Sequence, residues 1–508
     1  MMVALLAVTA IGTGLWRLES ASADLEVERT RVGAVPVTLY RPASTDPSPV
    51  VLIAHGFSGS QQLMQSFAIT LARNGFLALT FDFPGHGRNP VPFVTSIEDQ
   101  DRRVGLLLGA LQAVADFADD LPGSDGTMAL LGHSMAGDVL VRYASGRRDS
   151  VAATVLVSPY LAEDAPTAEP RNLLLIYGAL EPEALHEAGR RALADAAGGG
   201  VETDALYGDF ADGSARRLVL AAGTEHIGVL YGQAGLRAAL DWLNRAFERE
   251  GGAVVDDRGP ALGLLFLGIL ALAWPLSRLL PRAATAPMGA GLRWRHLWPA
   301  AAAPALLTPL LLRPLPTDYL PVLLGDYLAL HFAVYGLLTA LALAAVRRSG
   351  RVMPAAAVEG RLLVPGLVLA TLAACLYSTL AFALPLDRYV TAYLPDSARL
   401  WVLAAVLPGT WAWFAADGWL THGPGAPRSA PAVTKVLFLL SLMLAVALNL
   451  RELFFLIIVL PAILAFFVVF GVMGHWAYRR TRHPLVGSVA GGLAFAWAIA
   501  ATFPVAGG

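Results

Sequence analysis

From residue 260 to its end the chain reads as long apolar runs interrupted by Pro, Gly and Arg, and no other feature restricts its fold as much. A run of about 20 apolar residues matches the hydrocarbon thickness of a bilayer, and lipid tolerates a spanning segment only when its backbone groups bond within it, so each run is expected to be a helix. Eight spans are read, at 260–280, 297–312, 320–346, 362–385, 399–416, 432–449, 453–477 and 484–504, the second of them short and rich in proline. The loops between them alternate in charge. Arg278, Arg282, Arg293 and Arg295 share one loop; Arg347, Arg348, Arg351 and Arg361 the next but one; Arg428 and Lys435 the next but one again; Arg479, Arg480 and Arg482 the last. The intervening loops balance Arg313 with Asp318, Arg388 and Arg399 with Asp387 and Asp396, and Arg451 with Glu452. Basic loops face the cytoplasm, which places residues 18–259 on the periplasmic or extracellular side of a bacterial-type inner or plasma membrane.

The charge balance divides at the same point. Residues 1–259 carry 32 Asp and Glu against 20 Arg and no Lys, whereas residues 260–508 carry 7 acids against 16 Arg and one Lys, so a net charge of −2 conceals an acidic soluble half and a basic membrane half. No basic cluster with interleaved aromatics occurs in the acidic half, which argues against nucleic acid as a partner. The single cysteine, Cys375, lies in an apolar run, so disulfides and cysteine metal sites are not expected. Residues 1–23 hold a short apolar run ending near Trp16, then Ala21-Ser22-Ala23, which fits either a signal peptide or a membrane anchor. Both readings export the acidic half.

Residues 24–250 alternate short β-like runs with amphipathic helical ones, the pattern of a doubly wound, mostly parallel α/β sheet, and residues 251–508 form the all-α polytopic domain. Expected strands are 25–32, 35–40, 50–54, 77–81, 128–131, 152–157, 173–177 and 218–221; expected helices are 61–73, 97–118, 135–144, 182–196 and 232–247. Parallel strands need helical crossovers, and sites in such sheets sit beyond the carboxyl ends of the strands.

Beyond one such end stands Gly132-His133-Ser134-Met135-Ala136-Gly137, a strand, sharp turn and helix with a serine at the apex. Small residues on both sides let the backbone fold tightly enough to hold the hydroxyl over the sheet. Ala136 stands where the common G-x-S-x-G pattern has its second glycine. A serine nucleophile in this architecture takes its acid and then its histidine from later strand ends. The run Leu173–Tyr177 leads to Gly178-Ala179-Leu180-Glu181, with Glu183 as the alternative acid, and the final β-like run leads to Thr224-Glu225-His226. After Val50–Ala54 comes His55-Gly56-Phe57-Ser58-Gly59, whose glycines let backbone approach a substrate oxygen, so that the amides of Phe57 and Met135 make an oxyanion hole. Asp82-Phe83-Pro84-Gly85-His86-Gly87-Arg88 shapes the same rim, with a structural role for His86.

Strand order, H-G-x-x-G, D-x-P-G-H-G, the elbow, G-x-x-E and the late histidine together resemble the α/β-hydrolase family over residues 24–250, in particular its lidless branch similar to dienelactone hydrolases. Ala136 and a glutamate in place of the commoner aspartate at 181 depart from it. Only residues 159–170 occupy the place where relatives often insert a cap, which implies an open pocket. The expected function is a membrane-anchored serine hydrolase of carboxylic esters or related acyl bonds, with Ser134 attacking, His226 moving protons and Glu181 orienting His226, acting on small-molecule or lipid esters beside membrane lipids. No H-E-x-x-H, P-loop or dinucleotide fingerprint occurs, so neither metal nor cofactor is expected. Two alternatives stay open: an acyltransferase using the same triad, and a transporter or lipid-handling protein in which the hydrolase-like domain only binds. The second draws on Asp326, His331 and Tyr335 within one span and on Asn449, Arg451 and Glu452 at the end of another.

Overall fold

Strand and helix alternate along the first half of the chain as the sequence periods predict. The computed structural model describes residues 1–42, 44, 46–95, 99–250, 254–349 and 360–507. Nine strands make one sheet: β1 (Glu26–Val32), β2 (Val35–Arg41), β3 (Ser48–Ala54), β4 (Leu77–Phe81), β5 (Ser124–His133), β6 (Val151–Val157), β7 (Leu173–Gly178), β8 (Leu206–Tyr207) and β9 (Arg216–Ala221). Their spatial order is β1-β2-β4-β3-β5-β6-β7-β9-β8. The run from β4 to β9 is parallel, and antiparallel pairs occur only at the two edges. The two-residue edge strand β8 has no period long enough to be read from sequence.

The central strands are buried on both faces, which is why they read as continuous apolar runs. On one face α3 (Gln100–Asp119), α4 (Ala136–Ser145) and α5 (Glu183–Ala197) pack Leu107, Leu111, Leu140 and Leu193 against Leu52, Leu130 and Leu175. On the other, α2 (Gln65–Arg73) and α6 (Gln233–Ala246) pack Phe67, Leu240 and Trp242 against Ile53, Leu131 and Ile176. The expected start of α3 at Ile97 lies outside the described residues.

The second half is helical: α7 (Gly259–Ser277), α8 (Trp294–Leu312), α9 (Gly325–Arg348), α10 (Val364–Tyr389), α11 (Ser397–Thr421), α12 (Ala430–Leu448), the short α13 (Leu450–Leu453), α14 (Leu456–Thr481) and α15 (Leu485–Thr502). Each expected span has its helix. Among the described residues eight helices are long and apolar enough to cross a membrane, namely the N-terminal α1 (Met2–Ser20) and all the long C-terminal ones except α8. Helix α8 carries Pro299, Pro304 and Pro309 in its interior and falls short in hydropathy, as its composition foretold. Helix α1 lies along α7, with Leu18 in one buried cluster with Ala261, Leu262 and Leu265. A second cluster joins α9, α11, α12, α14 and α15 through Phe332, Trp413, Phe438, Phe467 and Phe495. The arginine-rich loops gather at the ends far from the sheet, where they bond to one another, Ala283 N–H to Thr481 O and Ala290 N–H to Trp419 O. Arg351 lies outside the described residues.

The opposite, sheet-side ends hold the rim of the sheet. Arg399, buried at the start of α11, donates to Ala500 O and Phe503 O at 2.9 Å and to Gly85 O at 3.0 Å. The segment after α15 runs extended against the loop that follows β4, with Phe93 N–H to Val505 O at 2.7 Å and Val505 N–H to Gly85 O at 2.9 Å. Arg88 pairs with Asp387 at 2.7 Å, and Ala392 N–H donates to Ser60 Oγ at 2.8 Å. Removing the Arg399 guanidinium takes a donor from Ala500 O and Phe503 O, while Gly85 O keeps Val505 N–H, at a cost on the order of 1–3 kcal/mol for each group left bare. Arg399→Met is therefore expected to lower the unfolding temperature in detergent by several degrees, while the exposed Arg295→Met leaves it unchanged; differential scanning fluorimetry reads both.

Candidate active site

The site grows from the turn between β5 and α4. Ser134 sits at φ +52°, the left-handed region that a non-glycine residue occupies at a cost of roughly 1–3 kcal/mol. Three hydrogen bonds hold it there: its N–H to Val157 O at 3.0 Å, and its carbonyl receiving Gly137 N–H at 2.9 Å and Tyr160 N–H at 3.0 Å. The departure at Ala136 has a geometric reason. Its methyl is buried without conflict, whereas the close approach falls one residue later, where a Cβ on Gly137 would lie 2.5 Å from Cβ of Pro159. Glycine is needed at 137, and alanine fits at 136.

Two further strand ends supply the partners. The loop after β7 brings in Glu181, and the loop after β9 brings in His226. His226 Nε2 lies 3.1 Å from Ser134 Oγ, and its Nδ1 lies 2.9 Å from Glu181 Oε2. With Glu181 as acceptor, Nδ1 carries the proton and Nε2 is free to accept the serine hydroxyl. The other Glu181 oxygen accepts Gly178 N–H at 2.8 Å and the Ser158 hydroxyl. Burial pushes the Glu181 carboxyl up, but the hydrogen bond and charge of His226, with those from Ser158 and Gly178, outweigh it and hold the group below its ordinary value. Glu183 is not in this chain: it is exposed on α5 and pairs with Arg190 at 2.7 Å and His186 at 3.2 Å.

The loop after β3 lies against the elbow so closely that a Cβ on Gly56 would meet Ser134 Cβ at 2.9 Å and His133 Nδ1 at 2.8 Å. Among the described residues the amide groups of Phe57 and Met135 donate to no protein acceptor. Such groups are rarely left unpaired in a folded chain. His55 is fully buried, with Nδ1 2.8 Å from Gly56 O and Nε2 accepting Phe83 N–H at 3.0 Å; burial lowers its pKa and keeps it neutral. His86 is likewise buried, bonded through Nδ1 to Pro84 O at 2.8 Å, in the structural role expected of it.

Three contributors were not read from sequence. Ser158, at φ +45° beyond β6, bonds Glu181. His133 lies 3.0 Å through Nε2 from His226 O and tilts its ring against His226 at 4.9 Å. Both stand at strand ends on the same rim, a signal available in the sequence. The third, Phe455, carried none. It comes after α13, about 320 residues from Ser134 in the chain, and its ring lies 4.8 Å from that of Phe57.

Phe455 corrects the expectation of an open pocket. Residues 159–170 do run as turns without a cap, but the sheet-side end of the helical region covers the rim instead. Beside the elbow, Phe57, Phe93, Arg103, Met135, Asp138, Tyr160 and Phe455 are among the residues lining a space of only about 10 Å³, and Ser134 is 6% exposed. That volume holds about one water. Among the described residues no three His, Cys, Asp or Glu side chains group to hold a metal ion.

Residues 45–185 match the model of the Hydrolase_4 family, described as Serine aminopeptidase, S33. Cutinase 1 of Thermobifida cellulosilytica is 26% identical over 167 residues, 31% of this chain and 60% of that protein; the cutinase of Thermobifida fusca (strain YX) is 26% identical over 167 residues, 31% of this chain and 52% of that protein. The chain thus spans a little over half the length of these relatives. A dienelactone hydrolase from Anabaena variabilis, of known structure, covers 43% of this chain and 97% of its own at 19% identity, with a TM-score of 0.32. The matched family and the nine-stranded, mostly parallel sheet with its serine elbow define an α/β-hydrolase domain, followed here by a helical region with several long apolar helices.

A carboxyl held below its ordinary value stabilises the fold above that value and ceases to as the pH falls through the depressed one. The unfolding-temperature difference between wild type and Glu181→Gln is accordingly expected to be constant above pH 4.5 and to shrink progressively below it; a thermal melt series from pH 7 to pH 3 measures this.

Proposed function

We propose that the protein is a membrane-embedded serine hydrolase that cleaves carboxylic esters or related acyl bonds of lipophilic substrates. The observation that carries the reading is the continuous chain from Ser134 Oγ through His226 to Glu181, at 3.1 and 2.9 Å, beside two amides with no acceptor among the described residues. Ser134 Oγ attacks the carbonyl carbon while His226 Nε2 takes its proton. The carbonyl oxygen, now an oxyanion, accepts from the Phe57 and Met135 amides. His226 returns the proton to the leaving alcohol, and Glu181 stabilises the imidazolium between the two transfers. Water then enters on the leaving-group side and attacks the acyl carbon while giving its proton to His226 Nε2; the bond from that carbon to Ser134 Oγ breaks, His226 passes the proton to Oγ, and the acid leaves.

The likeness to proteins named cutinase supports an ester as substrate. An apolar acyl chain suits the rings of Phe57, Phe93, Tyr160 and Phe455, although Arg103 and Asp138 also line this space, and its small volume requires Phe455 to move aside for a chain to be seated there. Leu180 and Ile227, the chain neighbours of Glu181 and His226, and Tyr160, whose N–H bonds to Ser134 O, are exposed and offer apolar surface to an amphiphile. The packing of α1 along α7 supports a retained anchor over a cleaved signal, and the arginine-rich loops at the far ends support a hydrolase domain outside the cytoplasm.

A fluorophosphonate probe is expected to label wild type at one site and to leave Ser134→Ala unlabelled; equal labelling of both would refute the nucleophile. For topology, a Cys375→Ser background carrying Ala165→Cys is expected to react with a membrane-impermeant maleimide in intact cells, whereas Arg348→Cys is not. The reverse pattern would invert the orientation.

A further inference from the structure

We infer that the helical region holds a second binding site, a pocket for a zwitterion that joins a primary ammonium to a phosphate, the headgroup chemistry of phosphatidylethanolamine. The inference rests on the apolar helices lying in a bilayer and not on the ester chemistry at Ser134. The pocket is a polar cavity of about 430 Å³ at the sheet-side ends of α8, α9 and α12, lined by Arg313, Asp318, Asp326, Asn449 and Glu452 among others. Its volume falls within the roughly 300–1,000 Å³ of small-molecule sites. Thr95, two residues past Phe93, and Leu453, two before Phe455, also line it, so it neighbours the small space beside the elbow.

Asp326 sets the charge that the pocket selects. It lines the cavity yet is only 7% exposed. Tyr327 N–H satisfies Oδ1 at 2.7 Å, whereas Oδ2 has neither a hydrogen-bond nor an ion-pair partner among the described residues and opens onto the cavity. A carboxylate is costly to bury unless a cation or donor accompanies it, so the partner of Oδ2 comes from outside the chain. A metal ion would need several oxygen ligands, and among the described residues no three acids, histidines or cysteines gather to provide them. A quaternary ammonium has no N–H for Oδ2 and calls for a cage of aromatic rings, of which Tyr327 alone lines this cavity. A primary ammonium supplies both the charge and the donor.

Arg313 supplies the opposite charge. It lines the same cavity, is exposed where Asp326 is buried, and pairs with no acid among the described residues. In an ethanolamine phospholipid the ammonium is the free end of the headgroup and the phosphate lies between it and the glycerol. An ammonium seated on Asp326 therefore leaves its phosphate toward the mouth, where a guanidinium can hold two phosphate oxygens at once. Exposed Leu311, Leu315 and Tyr319, on either side of Arg313 in the chain, give the acyl chains an apolar surface outside the pocket. Glu452, which accepts from Asn449 Nδ2 at 2.5 Å, and Asp318 add negative charge that favours entry of the cationic end first.

Ether-linked dioctyl phosphatidylethanolamine and phosphatidylcholine offer Ser134 no ester, so their binding to full-length protein in detergent, measured by isothermal titration calorimetry, tests the pocket apart from the hydrolase reading. Wild type is expected to bind the ethanolamine lipid at least tenfold more tightly than the choline lipid. Asp326→Asn, which keeps an acceptor for Tyr327 N–H, is expected to abolish that preference with unchanged elution and unfolding temperature, an effect that a carboxylate serving only the fold would not produce. Should that variant elute as aggregate, Arg313→Gln, at an exposed position, is expected to weaken both lipids at least threefold. Free phosphoethanolamine separates the two sources: a lipid is the occupant if it binds at least tenfold more tightly than the free headgroup, a soluble zwitterion if the two bind equally, and either result supports the pocket. Equal affinity of wild type for the two lipids, a folded Asp326→Asn that keeps the preference, or a folded Arg313→Gln that binds both as wild type does would overturn it.

Discussion

The contact between the catalytic rim and the sheet-side ends of the helices is the constraint on which the rest of this molecule depends. Gly85 O is its focus, accepting both from Val505 N–H and from the buried guanidinium of Arg399. A buried arginine is tolerable only where acceptors surround it, and here they come from the loop after β4 and from the end of α15. These bonds tie the last residues of the chain to the loop that shapes the rim beside the elbow. They also bring Phe455 onto Phe57, so the helical region completes the pocket that the sheet begins.

Much of this architecture was legible in the sequence because each part has a local physical cause. Buried parallel strands must be apolar throughout, amphipathic crossovers must repeat near 3.6 residues, and spans must match a bilayer, so these elements could be placed to within a few residues. Ser134, Glu181 and His226 were identifiable because parallel strands deliver their carboxyl ends to one rim, and each of the three lies just beyond such an end. The structure brings these three side chains together, with Glu181 and not Glu183 in reach, a choice made by the turn at Gly178 that composition does not reveal. The substitution at Ala136 looked like a weakness of the motif and is explained by Pro159, which sets the tight contact at Gly137.

What was not legible depends on distance along the chain. Phe455 meets Phe57 across nearly 400 residues, and no periodicity, motif or spacing encodes that meeting. The absence of a cap between β6 and β7 suggested an open pocket, since a lid is normally sought within the hydrolase chain itself. Here the cover comes from the turn between α12 and α14. Ser158 and His133 were within reach of the same strand-end argument, but a hydroxyl supporting an acid carries no motif of its own.

The central claim is that the helical region roofs a working serine site, and joining the roof to the rim tests it most directly. In a Cys375→Ser background carrying Phe57→Cys and Phe455→Cys, a short bifunctional thiol reagent applied to membranes should link the two positions within one chain and suppress ester hydrolysis, with a reductively cleavable linker restoring it. Linked protein that hydrolyses esters at the unlinked rate, or failure to link while each cysteine alone reacts with the reagent, would contradict the account.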